Sequence, residues 1–296
     1  MQKNYLYMKF KLCLILVAML FFSVVYAQRK RAFMVGISHY DTALTGYQWN
    51  NINGVEDINL LCPILKKQGF STITLLDQQA TFSNVILRLS QFINKTQKGD
   101  IVYIHFSTHG QPIEDINGDE EDGWDESIVP IDAYKTYKKG VYEGKKHITD
   151  DLLNVYIKKL RDKIGSAGML YVVIDACHAG TSSRANDELV RGTNVGFTYS
   201  NKIFKPSRNK KSHYHIDASS KKSNVVFIEA CKADQVNTEI KVNGKRFGPL
   251  SYNIANVLSG YTLNTNADTF IKNIRRSLTE TGKWPNNQNI VIETSF

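Results

Sequence analysis

The segments IVYIHFSTHG (residues 101–110) and LYVVIDACHAG (residues 170–180) decide the fold of this chain. Each begins as a nearly unbroken apolar run and ends in small and polar residues. A strand buried on both faces needs such a run, because a half-exposed strand would alternate. Working outward, residues 32–37, 71–76 and 225–230 read as further strands, with 289–292 as a sixth. Helical patterns lie between them. Val55, Ile58, Leu61, Cys62 and Leu65 place a helix over 55–67, stopped by Gly69; Val85, Ile86, Leu89 and Ile93 place another over 83–94. Residues 150–163 start with Thr149 as N-cap and two acids in the first turn, and 250–258 and 267–278 read as late helices. This alternation predicts an α/β fold with a mostly parallel central sheet of about six strands, flanked by helices on both faces.

The chain has 296 residues, 42% hydrophobic and 22% charged, which excludes a disordered chain, a collagen-like fibre and a disulfide-dense miniprotein. Residues 1–27 have the pattern of a signal peptide. Lys3, Lys9 and Lys11 precede an uncharged run from Leu12 to Val25, and Val25-Tyr26-Ala27 offers a cleavage site. The rival reading is a membrane anchor, but the run falls short of the roughly 20 residues that a bilayer core needs. The expectation is an exported protein (periplasmic, cell-surface or extracellular) with no stable membrane insertion after cleavage. Removing the three lysines leaves 34 basic residues against 28 acids, and leaves Cys62, Cys177 and Cys231. At least one of these thiols is then unpaired within the chain. The whole excess of +6 sits in residues 181–222, where Arg184, Arg191, Lys202, Lys205, Arg208, Lys210, Lys211, Lys221 and Lys222 face only Asp187, Glu188 and Asp217. Interleaved with Ser, Asn, Thr and Gly and lacking any period, the stretch reads as an exposed loop and not as a nucleic-acid surface.

In open parallel sheets the ligand site lies beyond the carboxyl ends of the strands. If the strands of the two opening segments are neighbours, His109 and Cys177 emerge from one edge and face each other. A nearby imidazole can activate a thiol whose free pKa is about 8.5. Gly110 lets a substrate approach the backbone, and its N–H with that of Cys177 could form an oxyanion hole. Buried filler is the competing reading of a strand-end cysteine. His178 is a poor base for its own neighbour, His105 reads as strand packing, and His39, His147, His213 and His215 have no catalytic context. The conjunction of the two loops favours catalysis.

HFSTHG, followed about 70 residues later by DACHAG, resembles the caspase-like cysteine peptidases and, within them, the metacaspases. NGVEDINLL (53–61), DGWDESIVPID (122–132), ITDDLL (148–153), EACKADQVNTE (229–239) and FGPLSYNIANVL (247–258) extend the resemblance from Arg31 to the C-terminus. It implies one caspase-like domain over 28–296, with the basic loop between subunit-like parts. It makes Cys177 the nucleophile that forms an acyl-enzyme and His109 its general base and acid. Asp57 and Asp175, beside Ser107, fall at the positions that bind Arg or Lys before the cut. No Arg stands in either box, where caspases that cut after Asp use one. The competing readings are a solvated helix face for Asp57 and turn capping for Asp175. A zymogen that processes itself in the basic loop is expected.

Asp115, Asn117, Asp119 and Glu126 fit positions 1, 3, 5 and 12 of an EF-hand loop, but Glu120 stands where Gly is required and no amphipathic helices flank the run. By the resemblance, Asp125, Asp150 and Asp151 could hold calcium, although Arg184 stands where a further acid belongs, with Asp187 three residues on. A solvated acidic loop competes equally. No cofactor is needed for the chemistry. The expectation is a monomeric peptidase acting on proteins or peptides after Arg or Lys, with no nucleic-acid partner. The alternatives are a caspase-like enzyme of other specificity and a catalytically silent binding module.

Overall fold

The computed structural model describes residues 28–40, 49–178, 189–205, 216 and 218–296. The leader pattern of 1–27 and part of the basic stretch, with Arg184, Asp187, His213 and His215, lie outside these residues. The central sheet has the strand order β11-β8-β7-β3-β1-β2. Its members are β1 (Lys30–Gly36), β2 (Phe70–Leu76), β3 (Ile101–Ser107), β7 (Met169–Asp175), β8 (Asn224–Glu229) and β11 (Val291–Thr294). All neighbours are parallel except β11, which closes one edge antiparallel to β8. The six strands and the alternation expected from sequence are present.

Side chains alternate through this sheet into two cores. Phe33, Ile104, Phe106 and Val172 pack under α2 (Phe82–Lys95) and α3 (Asp150–Ile164). Met34, Tyr103, Tyr171 and Val173 pack under α1 (Gly54–Lys67), α4 (Pro249–Gly260) and α5 (Ala267–Glu280). The helices start where their caps direct: Thr81 accepts from Asn84 N–H, and Thr149 from Leu152 N–H. Among the described residues no helix is long and apolar enough to cross a membrane.

Two features place the site. The β3–β7 register sets Ser107 level with Asp175, so the two loops leave the sheet side by side. The start of α1 presses against the strand ends: a Cβ on Gly54 would lie 2.2 Å from Ser107 O and 2.7 Å from Ile37 O. Only glycine permits that approach, and it carries Asp57, in the first turn of α1, to the strand ends. The sequence pattern did not reveal β4 (His109–Glu114), β5 (Trp124–Val129) and β6 (Ile148–Thr149), a small antiparallel sheet continuing from β3, or the hairpin β9 (Ile240–Val242) and β10 (Lys245–Phe247). Their strands are short, and β4 contains Gly110 and Pro112, so pairing and not local propensity holds them.

Candidate active site

His109 is the first residue of β4 and is buried. Its ring lies 4.9 Å from the indole of Trp49 and 4.8 Å from the Tyr40 ring, centroid to centroid. The Tyr40 hydroxyl accepts from His109 N–H (2.9 Å) and donates to Val129 O (2.9 Å). Nε2 lies 2.8 Å from the Asn50 carbonyl. A carbonyl can only accept, so the proton sits on Nε2 and the lone pair on Nδ1. Nδ1 is buried with no hydrogen-bond partner among the described residues. Burial pushes the ring's pKa down to about 3 against the pull of the Asn50 carbonyl, so the imidazole is neutral.

Cys177 lies just beyond β7 and is fully buried. Its Sγ donates to Gln235 O (2.8 Å), and the Sγ of Cys231 approaches the same oxygen (3.6 Å). The hydrogen bond with Cys177 and burial both push the Cys231 thiol up. Cys62 lies elsewhere, on α1, against Thr72 (3.6 Å), so Cys62 and Cys231 do not form a pair. His178 is buried beside Gly110: a Cβ on that glycine would lie 2.8 Å from the imidazole and 2.6 Å from Cys177 O. His105 is strand packing, set between Tyr103 Oη (2.8 Å) and Ser251 Oγ (3.0 Å). His147 is buried between Tyr142 and Gln111.

Asp57, Ser107 and Asp175 lie close together, with a further acid beside them. Asp57 and Ser107 meet: Ser107 Oγ donates to Asp57 Oδ2 (2.6 Å), and Gly248 N–H donates to Asp57 Oδ1 (3.0 Å). Burial raises the Asp57 carboxyl to about 7, opposed by Arg191. Asp57 does not lie on a solvated face. Asp175 does cap: its Oδ2 accepts N–H and Oγ–H of Ser251 in the first turn of α4, and its Oδ1 accepts from Asn237 (2.7 Å). A third acid, Glu239, comes from the loop after β8, held by Asn53 N–H and Nδ2, each at 2.6 Å. Nothing in its own segment, EACKADQVNTE (229–239), marks Glu239 for this pocket.

Arg191 fills this pocket. The basic stretch is therefore not an exposed loop at this point. The Arg191 side chain is fully buried. Nε (3.1 Å) and Nη2 (2.8 Å) donate to Glu239 Oε1, and Nη1 reaches Ser107 Oγ (2.6 Å) and Asp57 Oδ2 (2.8 Å). Asp175 Oδ1 is farther, at 3.8 Å. Three carboxylates explain the burial of a cation that composition alone places in water. The backbone is held as firmly. Arg191 N–H donates to Asn237 O (3.0 Å), Glu239 N–H donates to Leu189 O (2.9 Å), and Val190 bridges Thr238 antiparallel. Arg191 O accepts from both Gly110 N–H (3.1 Å) and Cys177 N–H (3.0 Å). The two N–H groups expected to form an oxyanion hole thus converge on one carbonyl oxygen.

The acidic loop also departs from expectation. The carboxylates that converge, with ligand oxygens all within 4.8 Å, are Asp115, Asp119 and Asp125. Asp150 and Asp151 are not in this group, because Asp150 starts α3 and Asp151 accepts from Asn117 Nδ2 (2.6 Å). Asp125 is buried, and its Oδ1 has no hydrogen-bond partner among the described residues. Burial, then the charges of Asp115, Asp151, Asp119 and Glu120, push its carboxyl up to about 7.

The caspase-domain family profile matches residues 29–293. Metacaspase-1B of Aspergillus fumigatus is 30% identical over 166 residues, 52% of this chain and 36% of the fungal protein. Metacaspase-1 of Pyricularia oryzae is 26% identical over 161 residues, 52% of this chain and 37% of that one. The chain thus matches only about a third of the length of these relatives. A crystal structure of a Geobacter sulfurreducens protein aligns over 90% of this chain and 93% of that one, with a TM-score of 0.61 at 20% identity, a likeness of fold. The chain belongs to the caspase family of cysteine peptidases.

Proposed function

We propose that this caspase-family chain is an endopeptidase that cuts proteins after Arg or Lys, with Cys177 as nucleophile and His109 as its base and acid. The observation that carries the specificity is the pocket of Asp57, Ser107, Asp175 and Glu239 closing on a guanidinium. A buried polar site of this kind rejects side chains that leave its acceptors unpaired. Nδ1 of His109 has the lone pair to take the thiol proton, and Asn50 O fixes that tautomer. Cys177 then adds to the carbonyl carbon, and the N–H groups of Gly110 and Cys177 take the oxyanion. The amine leaves with the proton from His109, and water hydrolyses the thioester. Antiparallel pairing along 237–239 supports an extended peptide on the acyl side.

The oxygens of Asp115, Asp119 and Asp125 suit a hard cation, and calcium is the cation we assign to them. The buried Oδ1 of Asp125, without a hydrogen-bond partner among the described residues, is the oxygen that such a cation would engage. The pattern of residues 1–27 supports export.

The test is hydrolysis of fluorogenic peptides ending in Arg, Lys or Asp by the wild-type and Cys177→Ala chains. Cleavage after Arg and Lys alone, lost in the variant, is expected. Cleavage after Asp would overturn the pocket assignment, and silence of the folded, reduced protein on all three would favour a binding module.

A further inference from the structure

Cys231 is a buried thiol that the peptidase chemistry leaves idle, and the fold sets it beside the one that chemistry needs. β7 and β8 run parallel with Ile174 opposite Glu229. Carried two residues past the strands, that register puts Cys231 level with Ala176, and Cys231 Sγ does approach Ala176 O, at 4.0 Å. Cys177 is the next residue. Neighbouring strands lie about 4.8 Å apart and each residue advances about 3.3 Å, so the two α-carbons stand roughly 6 Å apart, inside the range of about 4.4–6.8 Å that a disulfide spans. The side chains turn the same way. Both thiols reach one oxygen, Gln235 O, at 2.8 Å from Cys177 Sγ and 3.6 Å from Cys231 Sγ. The two residues form a small buried cluster of their own, and a hydrogen bond joins their side chains. Among the described residues no other thiol competes, because Cys62 lies on α1 against Thr72. The pair is also asymmetric. Burial and the bond from Cys177 hold the Cys231 thiol protonated, whereas Cys177 has the imidazole of His109 to take its proton on the peptidase reading. An oxidant therefore reacts at Cys177 first, and Cys231 stands ready to resolve the product.

We propose that Cys177 and Cys231 form a reversible disulfide when the protein meets a peroxide, which switches the nucleophile off and spares it from irreversible oxidation. Only the loss of hydrolysis rests on the peptidase reading; the bond itself does not. The Cys177 thiolate attacks one peroxide oxygen and the O–O bond breaks, leaving a sulfenic acid and a hydroxide that takes the thiol's proton to become water. The Cys231 sulfur then attacks the Cys177 sulfur. The S–O bond breaks, and the hydroxyl leaves with the Cys231 proton as a second water. Two thiols are thus oxidised by two electrons while one peroxide is reduced to two waters. A phosphine reductant returns both thiols.

The experiment treats the full reduced chain and its Cys231→Ser and Cys62→Ser variants with hydrogen peroxide, alkylates the remaining thiols and maps the peptides without reduction, with hydrolysis of an Arg-ending fluorogenic peptide in parallel. The wild type should yield a linked Cys177–Cys231 peptide, become lighter by two hydrogens and lose hydrolysis in proportion to the linked fraction; the phosphine should restore it. Cys62→Ser should behave identically. Cys231→Ser should hydrolyse the peptide before peroxide, form no link, carry Cys177 on to a sulfinic acid and lose hydrolysis beyond rescue. The wild-type map reads the bond without any variant, so a misfolded Cys231→Ser still leaves a decision. Over-oxidised Cys177 beside an alkylated Cys231 in the wild type, a link through any other cysteine, or equal rescue of wild type and folded Cys231→Ser overturns the proposal. If the reduced chain hydrolyses the peptide and no link forms, the proposal falls and the peptidase reading stands. If the link forms and the reduced chain cuts no peptide, the disulfide stands and the peptidase reading falls.

Discussion

Glu239 should decide between Arg and Lys. Its Oε1 accepts from both Nε and Nη2 of Arg191, a side-on contact that an ammonium group, having no Nε, cannot make. Asp57 and Ser107 instead meet the end of the side chain, where either cation could sit. Glu239→Gln keeps the shape and an accepting oxygen while removing the charge. The Asn53 side-chain amide, which now donates to Oε2, can turn and accept from the new NH2. Hydrogen bonds to charged groups contribute about 1.5–3 kcal/mol and neutral ones about 0.5–1.5 kcal/mol, so the substitution should cost about 1–2 kcal/mol of transition-state binding. That is roughly a 5- to 30-fold loss of kcat/KM on Arg peptides. Lys peptides should lose less than about 3-fold, since only the longer-range charge is gone. The assay compares two peptides differing only at the residue before the cut, on the same preparation of each protein. Equal losses on both, or an unchanged Arg rate, would refute the side-on role.

Gly110→Ala should lower kcat by roughly 100- to 1,000-fold with little change in KM. The new Cβ would lie 2.6 Å from Cys177 O, so the two N–H groups must separate; steady-state kinetics on a protein of native circular dichroism checks this. Calcium should raise the melting temperature more at pH 8 than at pH 6. Asp125 has its carboxyl raised to about 7, so its stabilising contribution is full below the unfolded pKa near 4 and lost as pH rises through 7, and a bound cation offsets that loss. Asp125→Asn should abolish the calcium shift in the same melt. Acid should unfold the protein early. Burial lowers His105 to about 4, His109 to about 3 and His147 to about 4, so the unfolded chain binds more protons below pH 6.5. Their stabilisation, complete above pH 6.5, falls by on the order of 2 kcal/mol each by pH 5, and His105→Gln should remove about a third of that slope in urea titrations.

What was legible in the sequence is what parallel-sheet topology brings together. IVYIHF and LYVVI mark neighbouring buried strands, so His109 and Cys177 could be placed at one edge of the sheet before any coordinates, while Asp57, Asp175 and Ser107 came from the family resemblance. The groups that complete the site carry no type-specific signal. The carbonyl of Asn50 is a backbone atom, and Tyr40 and Trp49 look like ordinary core aromatics. Two readings failed for the same physical reason. The resemblance puts calcium at Asp125, Asp150 and Asp151, of which Asp125 alone joins the converging group, and the basic stretch with Arg191 reads as exposed, because local composition does not show which distant charges converge. The partners of Arg191 come from α1, from the strand ends and from the loop after β8, segments remote from it in sequence. A basic loop with no period is the expected appearance of a linker whose order is imposed from outside. On the proposed reading, the acids that would select a substrate's cation are the ones that hold Arg191. A substitution there that changes specificity should therefore also change how firmly Arg191 is held, and the two effects should scale together.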